Sequence, residues 1–405
     1  MIEILLARAG GGGSGGHGGG GSFGGGGSFS GGGGYSGGFG FVFGNLSYVV
    51  FFILIFALAI IQSKKRDKNI ESTTQMALAL GLDWPVFKDQ ITTIFYSFQK
   101  AWSEFNTNVI KDLVTEQYYK RMVLELNVLQ NLKRANVMNQ VAVKEMFLLP
   151  ESTTPANGEE LSKVIVMIEA SAKDSLIDQS DQKLLFQSNE PFVEYWHFVK
   201  ENQVWKLDLI TQATEEAAMV DPRIEVFAKT NGFYFDPDFG WLMLPNKGYL
   251  FSKSNFGTSD INNHVIGYFR DKIVEFYTYQ AAENFENYLI AQAILPIQYE
   301  DILVKRNHSV ISSFFHGLAM SKLNKVQMES VDFNKKFEVW ANPSDKVDSF
   351  QLLAPNFMER IYNLPFDLNI EVVGNFLYLY TKASEEVDYS KMLEILSWAF
   401  DEMKF

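Results

Sequence analysis

The sequence predicts an α+β protein held behind a membrane anchor: a glycine-rich disordered tail, one transmembrane helix, and two domains in which helices pack on antiparallel sheet. Three observations carry this. Of the 31 glycines, 22 fall between Gly10 and Gly44. A run without charge follows them. Beyond it, helical three- and four-residue spacing of apolar residues gives way to a period of two, the order expected of an α+β layer arrangement. A chain of 405 residues suits two globular domains of ~100–200 residues each.

The tail repeats a unit: GGGGSF ending at Phe23, GGGGSF ending at Phe29, and GGGGYS ending at Ser36. Such a segment buries too little apolar surface to offset its chain entropy, so residues 1–45 are expected to be disordered. A phosphate-cradling loop does not fit, because a P-loop closes on Gly-Lys-Ser/Thr and opens a soluble helix. The next stretch, Leu46–Ile61, reads LSYVVFFILIFALAII, with twelve of sixteen positions Leu, Ile, Val or Phe. At about −0.3 to −0.6 kcal/mol each, these supply roughly −4 to −7 kcal/mol toward insertion, and residues 46–62 are predicted to span the bilayer. A signal peptide would need a basic N-terminus and a small-residue cleavage site after the apolar core. Instead Lys64, Lys65, Arg66 and Lys68 follow it. Cations stay inside, so the tail is placed outside and everything beyond residue 63 in the cytoplasm of a bacterial inner membrane. The same four cations are the candidate contacts to anionic headgroups, and residues 63–83 form a basic juxtamembrane connector.

The first soluble domain is expected at 84–217. Trp84, Phe87, Ile91, Ile94, Phe95, Phe98, Trp102 and Phe105 recur at helical spacing and define one broad apolar face. Thr115 is the expected N-cap of a second helix carrying Tyr119, Met122, Leu126 and Leu129. Strands are read at Val141–Leu149, Lys163–Ala172, Phe192–Val199 and Val204–Leu209, the last two joined by a turn at Lys200–Gln203. Ala101-Trp102, Leu113, Tyr118, the strand Phe192-Val193-Glu194-Tyr195-Trp196-His197-Phe198, and Trp205-Lys206-Leu207 with Ile210 resemble the mitochondrial inner-membrane import-motor tether family and its bacterial membrane-anchored relatives. The resemblance implies a cone of helices on a curved sheet, similar to the nuclear-transport-factor-2 superfamily, working as a membrane-adjacent scaffold. Trp102, Tyr118, Trp196 and Trp205 are the candidate lining of a pocket in that cone. His197, alternating with Tyr195 and Val193, reads as a packed or edge histidine.

The polar run Thr211–Arg223, ending in Asp-Pro, marks the boundary to a second domain at 218–405. Strands are expected near Val265–Tyr279, Tyr288–Leu295 and Lys325–Met328, a short helix at Asp332–Phe337 and a strand at Glu338–Ala341. A helix from Val347 to Leu364, a hairpin pairing Asn369–Val373 with Phe376–Thr381 about Gly374-Asn375, and a last helix Ser390–Met403 complete the reading. Gly267–Tyr277, Phe315-His316-Gly317-Leu318, Val326–Val339 and Leu353–Glu359 resemble a family of bacterial membrane-associated proteins of unknown function. That resemblance names a shape and implies no mechanism.

Composition excludes several chemistries. The chain has no cysteine, which removes a thiolate metal site, a disulfide framework and a cysteine nucleophile. A net charge of −13 argues against nucleic acid as a partner. His17, His197, His264, His308 and His316 are scattered, with no metal-ligand spacing, so no metal and no cofactor is expected. Asp236-Pro237-Asp238 lacks a calcium-loop pattern, and Asp238-Phe239-Gly240 lacks the other kinase segments. His308, Ser309 and Asp301 have the residue types of a triad without any sequence evidence of its geometry. No catalytic residues are assigned. The expectation is a single-pass scaffold or tether that presents two cytoplasmic domains to a protein partner or to membrane lipid. A lipid or small apolar ligand in the cone is the alternative, and a hydrolytic enzyme the third reading.

Overall fold

A computed structural model describes residues 69–149, 162–212, 222–236, 242, 261–280, 287–307, 323–342, 349–384 and 387–405. The glycine-rich tail, the predicted span 46–62, the cations Lys64, Lys65, Arg66 and Lys68, and His17, His308, Ser309 and His316 lie outside the described residues, as do Pro237–Gly240. Among the described residues no helix is long and apolar enough to cross a membrane.

Helix α1, described over residues 69–79, occupies part of the connector. The Thr73 hydroxyl accepts a hydrogen bond from the Leu148 amide at 3.2 Å, which fixes the helix to the end of a strand. Gly81, at φ +67°, terminates it while the Leu82 amide donates to the Ala77 carbonyl, a left-handed C-terminal cap. Asp83 then caps α2 (Trp84–Ser103), accepting from the Val86 amide, with Pro85 in the first turn. Asn106 caps α3 (Thr107–Leu113) in the same way. Thr115 caps α4 (Glu116–Asn131), as the sequence predicts. The same Thr115 hydroxyl donates to Asp208 at 2.8 Å and its amide to the Leu207 carbonyl at 2.9 Å, so the cap also locks the helix to the sheet.

That sheet is antiparallel, in the order β1 (Arg134–Leu148), β2 (Lys163–Asp178), β4 (Pro191–Glu201), β5 (Val204–Gln212), with β3 (Leu184–Ser188) on β2 beyond the end of β4. The β4–β5 turn uses Asn202 and Gln203 with φ +49° and +68°, the pair of left-handed residues a tight two-residue hairpin demands. The strands run past their sequence-predicted bounds, β1 at its start, β2 and β5 at their ends and β4 at both, because cross-strand partners extend pairing past the apolar stretch. Helix α3 and strand β3 carry too little periodicity to be anticipated.

After α5 (Pro222–Asn231), a second antiparallel sheet runs β10 (Asn324–Val326), β11 (Phe337–Ala341), β9 (Asn287–Arg306), β8 (Lys272–Gln280), β7 (Ile261–Phe269), β6 (Tyr234–Asp236). Strand β12 (Asn369–Lys382) pairs along the other edge of β9. Helices α6 (Val331–Lys336), α7 (Pro355–Tyr362) and α8 (Tyr389–Met403) complete the unit.

Three expectations change here. The single strand at Val265–Tyr279 is a hairpin, β7 and β8, turning at Arg270 and Asp271, both at positive φ. The hairpin about Gly374 is one strand: Gly374, at φ +60°, sits at a bulge opposite Tyr299 while both halves of β12 pair with β9. The Val347–Leu364 helix is a 3-10 turn, Ser349–Leu353, followed by α7. Ala354 precedes Pro355, which pushes it to extended backbone at ψ 152° and starts a new helix.

Alternation along the second sheet separates two buried faces. Val265, Val274, Phe276, Ala291, Ile302 and Leu379 share a core with α5, α7 and α8. Tyr277, Tyr279, Tyr288, Ile290, Tyr378 and Tyr380, on the opposite face, belong to one apolar cluster with the interior of the first sheet and its helices. Hydrophobic burial therefore joins the two units.

Candidate functional site

The interior of the first unit is built from α2, α4 and the inner face of the first sheet. Phe95 and Phe98 of α2 meet Trp196 at centroid distances of 5.0 and 5.6 Å, and Phe98 stacks on Tyr118 at 6.5 Å. Trp102, Tyr118 and Trp196 are almost fully buried. Trp102 takes no part in that ring cluster. Its indole Nε1 donates to Asn136 Oδ1 at 3.0 Å, and Asn136 Nδ2 donates to Asp174 Oδ1 at 2.6 Å. Trp205 touches neither directly: half-buried, it meets Phe87 at 5.0 Å, and Phe87 reaches Trp196 only through Phe198. Of the four candidate lining residues, the fold thus brings Tyr118 and Trp196 onto one ring and leaves Trp102 and Trp205 elsewhere.

Several polar groups in this interior are hydrogen-bonded, as low-dielectric surroundings favour. Trp196 Nε1 donates to Glu194 Oε2 at 2.9 Å, and Arg121 pairs with Glu125 at 2.7 Å. His197 points to the other side of its strand, 3.1 Å from the Thr211 hydroxyl. Burial holds its imidazole below the ordinary histidine range, opposed by the nearby Asp208 carboxylate.

A second constellation lies on the tyrosine-bearing face of β7, β8, β9 and β12. His264 Nε2 is 2.9 Å from Glu275 Oε2, Gln292 Nε2 donates to Glu275 Oε1 at 2.8 Å, and the Tyr277 hydroxyl donates to Gln292 Oε1 at 3.1 Å. Tyr380 donates to Glu371 Oε1 at 2.8 Å. Arg134, at the start of β1, brings the first sheet to this group. Burial lowers its guanidinium to about 10, against the opposing pull of Tyr378, Asp178 and Glu275. Burial also raises Tyr277, Tyr378 and Tyr380 well above the usual phenol range, and neighbouring glutamates add to the effect. His264 and Glu275 are each 1% exposed, so these bonds tie β7, β8 and β9 together out of reach of solvent, while the Tyr380–Glu371 bond lies within β12. The sequence reading did not identify it. Its signal is the alternation Glu275, Tyr277, Tyr279 on β8 and Phe376, Tyr378, Tyr380 on β12: aromatic rings with polar tips on one strand face need partners when that face is covered.

Among the described residues, no group of three or more His, Asp or Glu side chains is placed to hold a metal ion. Asp301 lies in β9, where its carbonyl accepts from the Asn342 amide at 3.2 Å.

A cleft of about 470 Å³ opens where the two units meet, lined by α4, the β7–β8 turn, the middle of β9 and Asn375. Asn127 Nδ2 donates across it to the Tyr268 hydroxyl at 3.2 Å. Arg270, in that turn, bonds Asp401 at 2.6 Å and Ser397 at 2.8 Å on α8, which ties the rim to the helix.

Residues 292–390 match the model of a family described as a protein of unknown function, DUF3137. No curated protein matches the chain. Among solved structures, the mycobacterial trehalose monomycolate transport factor A aligns at a TM-score of 0.35 and 10% identity, covering 45% of this chain and 93% of that one. The intermembrane-space region of the chloroplast protein ARC6 aligns at 0.24 and 11% identity, covering 30% and 91%. An Ntf2-like protein involved in plasmid conjugation aligns at 0.18 and 10% identity, covering 47% and 81%.

Proposed function

We propose that the chain is a single-pass membrane-anchored scaffold whose two domains hold a protein partner at the cytoplasmic membrane face. The carrying observation is the charge-free run Leu46–Ile61 followed at once by Lys64, Lys65, Arg66 and Lys68, which gives both an anchor and its orientation. The resemblance of Trp84–Ala217 to the import-motor tether family belongs to the same reading. Two features of the fold support it. The cone aromatics spend their surface on one another, Trp196 against Phe95 and Phe98, and Phe98 against Tyr118. The apolar cluster shared by the two sheets suits a stiff platform more than a pair of independently moving ligand-binding lobes.

The test is topological first. With a C-terminal tag, external protease added to spheroplasts should spare the tag, and alkaline carbonate should leave the chain in the membrane. Digestion of the tag overturns the cytoplasmic placement; release by carbonate overturns the anchor. Crosslinking in intact membranes then identifies the partner. Stoichiometric lipid retained by purified chain after detergent exchange, and lost on enlarging Val166, the cross-strand partner of Trp196, would favour the cone-ligand alternative instead.

A further inference from the structure

The second unit holds a small cavity of about 180 Å³ where α5, strands β7, β8 and β9, and the junction between β12 and α8 meet. Its frame is a bulge in β7. Asn262 pairs with Thr278 and Val265 with Phe276, so Asn263 and His264 together oppose Tyr277, and Asn263 takes φ +56°. The Tyr389 hydroxyl of α8 donates to the Asn263 carbonyl at 2.7 Å and pins the bulge. The Tyr389 ring is itself held by Phe227 and Phe276, at centroid distances of 5.6 and 5.8 Å. Bulges re-aim side chains and are over-represented beside functional sites. Around this frame the cavity is lined by small side chains, Thr278, Ala383, Ser384 and Ser390. Protein interiors are close-packed, and a larger residue at one of these positions would fill the space.

The rest of the lining divides by burial. Phe227, Leu289 and Val387 are buried and, with Ile224, give the cavity an apolar floor. Arg223, in the first turn of α5, and Asp388, the N-cap of α8, are exposed and stand at its rim. Asp388 Oδ1 accepts from the Lys391 amide at 2.8 Å, so the helix that it caps fixes this carboxylate in place. Size and charge together select a ligand. An engineered apolar cavity of about 150 Å³ takes up benzene, so this one suits an apolar body of similar size. A simple carboxylate would be drawn by Arg223 and repelled by Asp388, and a simple amine the reverse; a zwitterion is matched to both.

We propose that this cavity binds a free α-amino acid with an apolar side chain of about leucine or methionine size. The side chain lies on Phe227, Leu289 and Val387, the carboxylate turns to Arg223 and the ammonium to Asp388. An apolar body held in a mostly preformed cavity, with a few polar groups fixing its orientation, is the ordinary design of a small-molecule site. The inference goes beyond the scaffold reading and does not depend on the membrane anchor.

The full chain in lipid nanodiscs is titrated with each of the common amino acids, with scanning fluorimetry for the melting temperature and calorimetry for affinity. Leucine, isoleucine or methionine should raise the melting temperature saturably, and glycine and lysine should not. Arg223→Ala, Asp388→Asn and Ser384→Trp change exposed positions, and asparagine keeps the helix cap, so an unchanged melting temperature without ligand confirms that each variant folds. Each charge variant should weaken leucine binding roughly tenfold or more, the loss of a charge-assisted contact, and Ser384→Trp, which fills the cavity, should abolish it. Two leucine analogues separate the charges. Isoamylamine, which lacks the carboxylate, should lose affinity only in Asp388→Asn, and isocaproate, which lacks the ammonium, only in Arg223→Ala. Binding of no amino acid, binding that survives Ser384→Trp, or analogues equally sensitive to both charge variants overturns the proposal. The scaffold reading fails separately, on tag digestion or carbonate release, so a protected, anchored chain that binds no amino acid condemns the cavity assignment alone.

Discussion

Gly267 tests the packing of the second sheet on a single methyl group. It lies in β7, opposite Val274 of β8. A Cβ added there would stand 2.1 Å from Phe233 Cδ1, 2.8 Å from Cγ and 2.9 Å from Cε1. Carbon atoms are comfortable at about 3.5–4.0 Å, so the ring would have to retreat by about 1.5 Å. It has nowhere simple to go. Phe227 is 5.8 Å from it and Phe276 6.0 Å, centroid to centroid, and Phe227 is itself 5.6 Å from Tyr389 of α8. Overpacking of this kind costs about 1–3 kcal/mol. Taking about 2 kcal/mol, and about 2–4 °C per kcal/mol for a domain of this size, Gly267→Ala should lower the melting temperature by about 4–8 °C. Scanning fluorimetry and urea titration of the full chain measure this. The cause is isolated by a double-mutant cycle. In the Phe233→Leu background the alanine should cost less by about 1 kcal/mol or more, because the smaller side chain vacates the collision. A change within about 0.5 kcal/mol for Gly267→Ala, or additivity with Phe233→Leu, would refute the reasoning.

Three further outcomes follow from the buried polar groups. Tyr277, Tyr378 and Tyr380 are held protonated by burial. Above pH 10 an unfolded chain therefore binds fewer protons at these positions than the folded one, and stability falls with rising pH. The lowered Arg134 acts oppositely, since between about 10 and its ordinary value the unfolded chain binds more protons. Three groups outweigh one, so alkaline absorbance titration of the 17 tyrosines should end in a late step coincident with unfolding. Smooth reversible ionisation of all of them near pH 10 would contradict the burial of these three. His197, lowered by burial, stays neutral in the fold while the unfolded imidazole takes a proton below about 6.5, so its contribution is lost as pH falls from there toward the folded value. His197→Gln should flatten the urea midpoint between pH 7 and 5 relative to the parent; equal slopes count against this. Trp102→Phe strands the Asn136 carbonyl and should cost about 1–3 kcal/mol, whereas Trp205→Phe, at a half-buried ring, should cost less. Equal losses in urea titrations would show that the indole hydrogen bond is not the distinguishing term.

The candidate sites were legible to different depths. Trp102, Tyr118 and Trp196 stood out as large aromatics on apolar faces, and all three are buried. Their partners did not stand out: Asn136 and Asp174 are 38 residues apart and meet only because β1 and β2 pair. The same holds for His264, Glu275 and Gln292, each unremarkable in its own strand. The cleft was invisible in the sequence, since it needs α4 of one unit and, from the other, the β7–β8 turn and the middle of β9 opposite the β12 bulge.

What the sequence determined by itself was local. The charge-free run and its cations, the caps at Asp83, Asn106 and Thr115, the apolar stripe of α2, and the period-two strands are written in residues a few positions apart, where sterics and hydrogen bonding act without help from the rest of the chain. Tertiary structure decided which local options were taken. Gly374-Asn375 suits a hairpin turn or a bulge equally well, and the partner β9, long enough to receive both halves of β12, selects the bulge. Arg270-Asp271 offers two residues without glycine for a tight turn, and only the pairing of β7 with β8 holds both at positive φ. Backbone torsions set what a segment can do; the burial and hydrogen bonds contributed by distant strands set what it does.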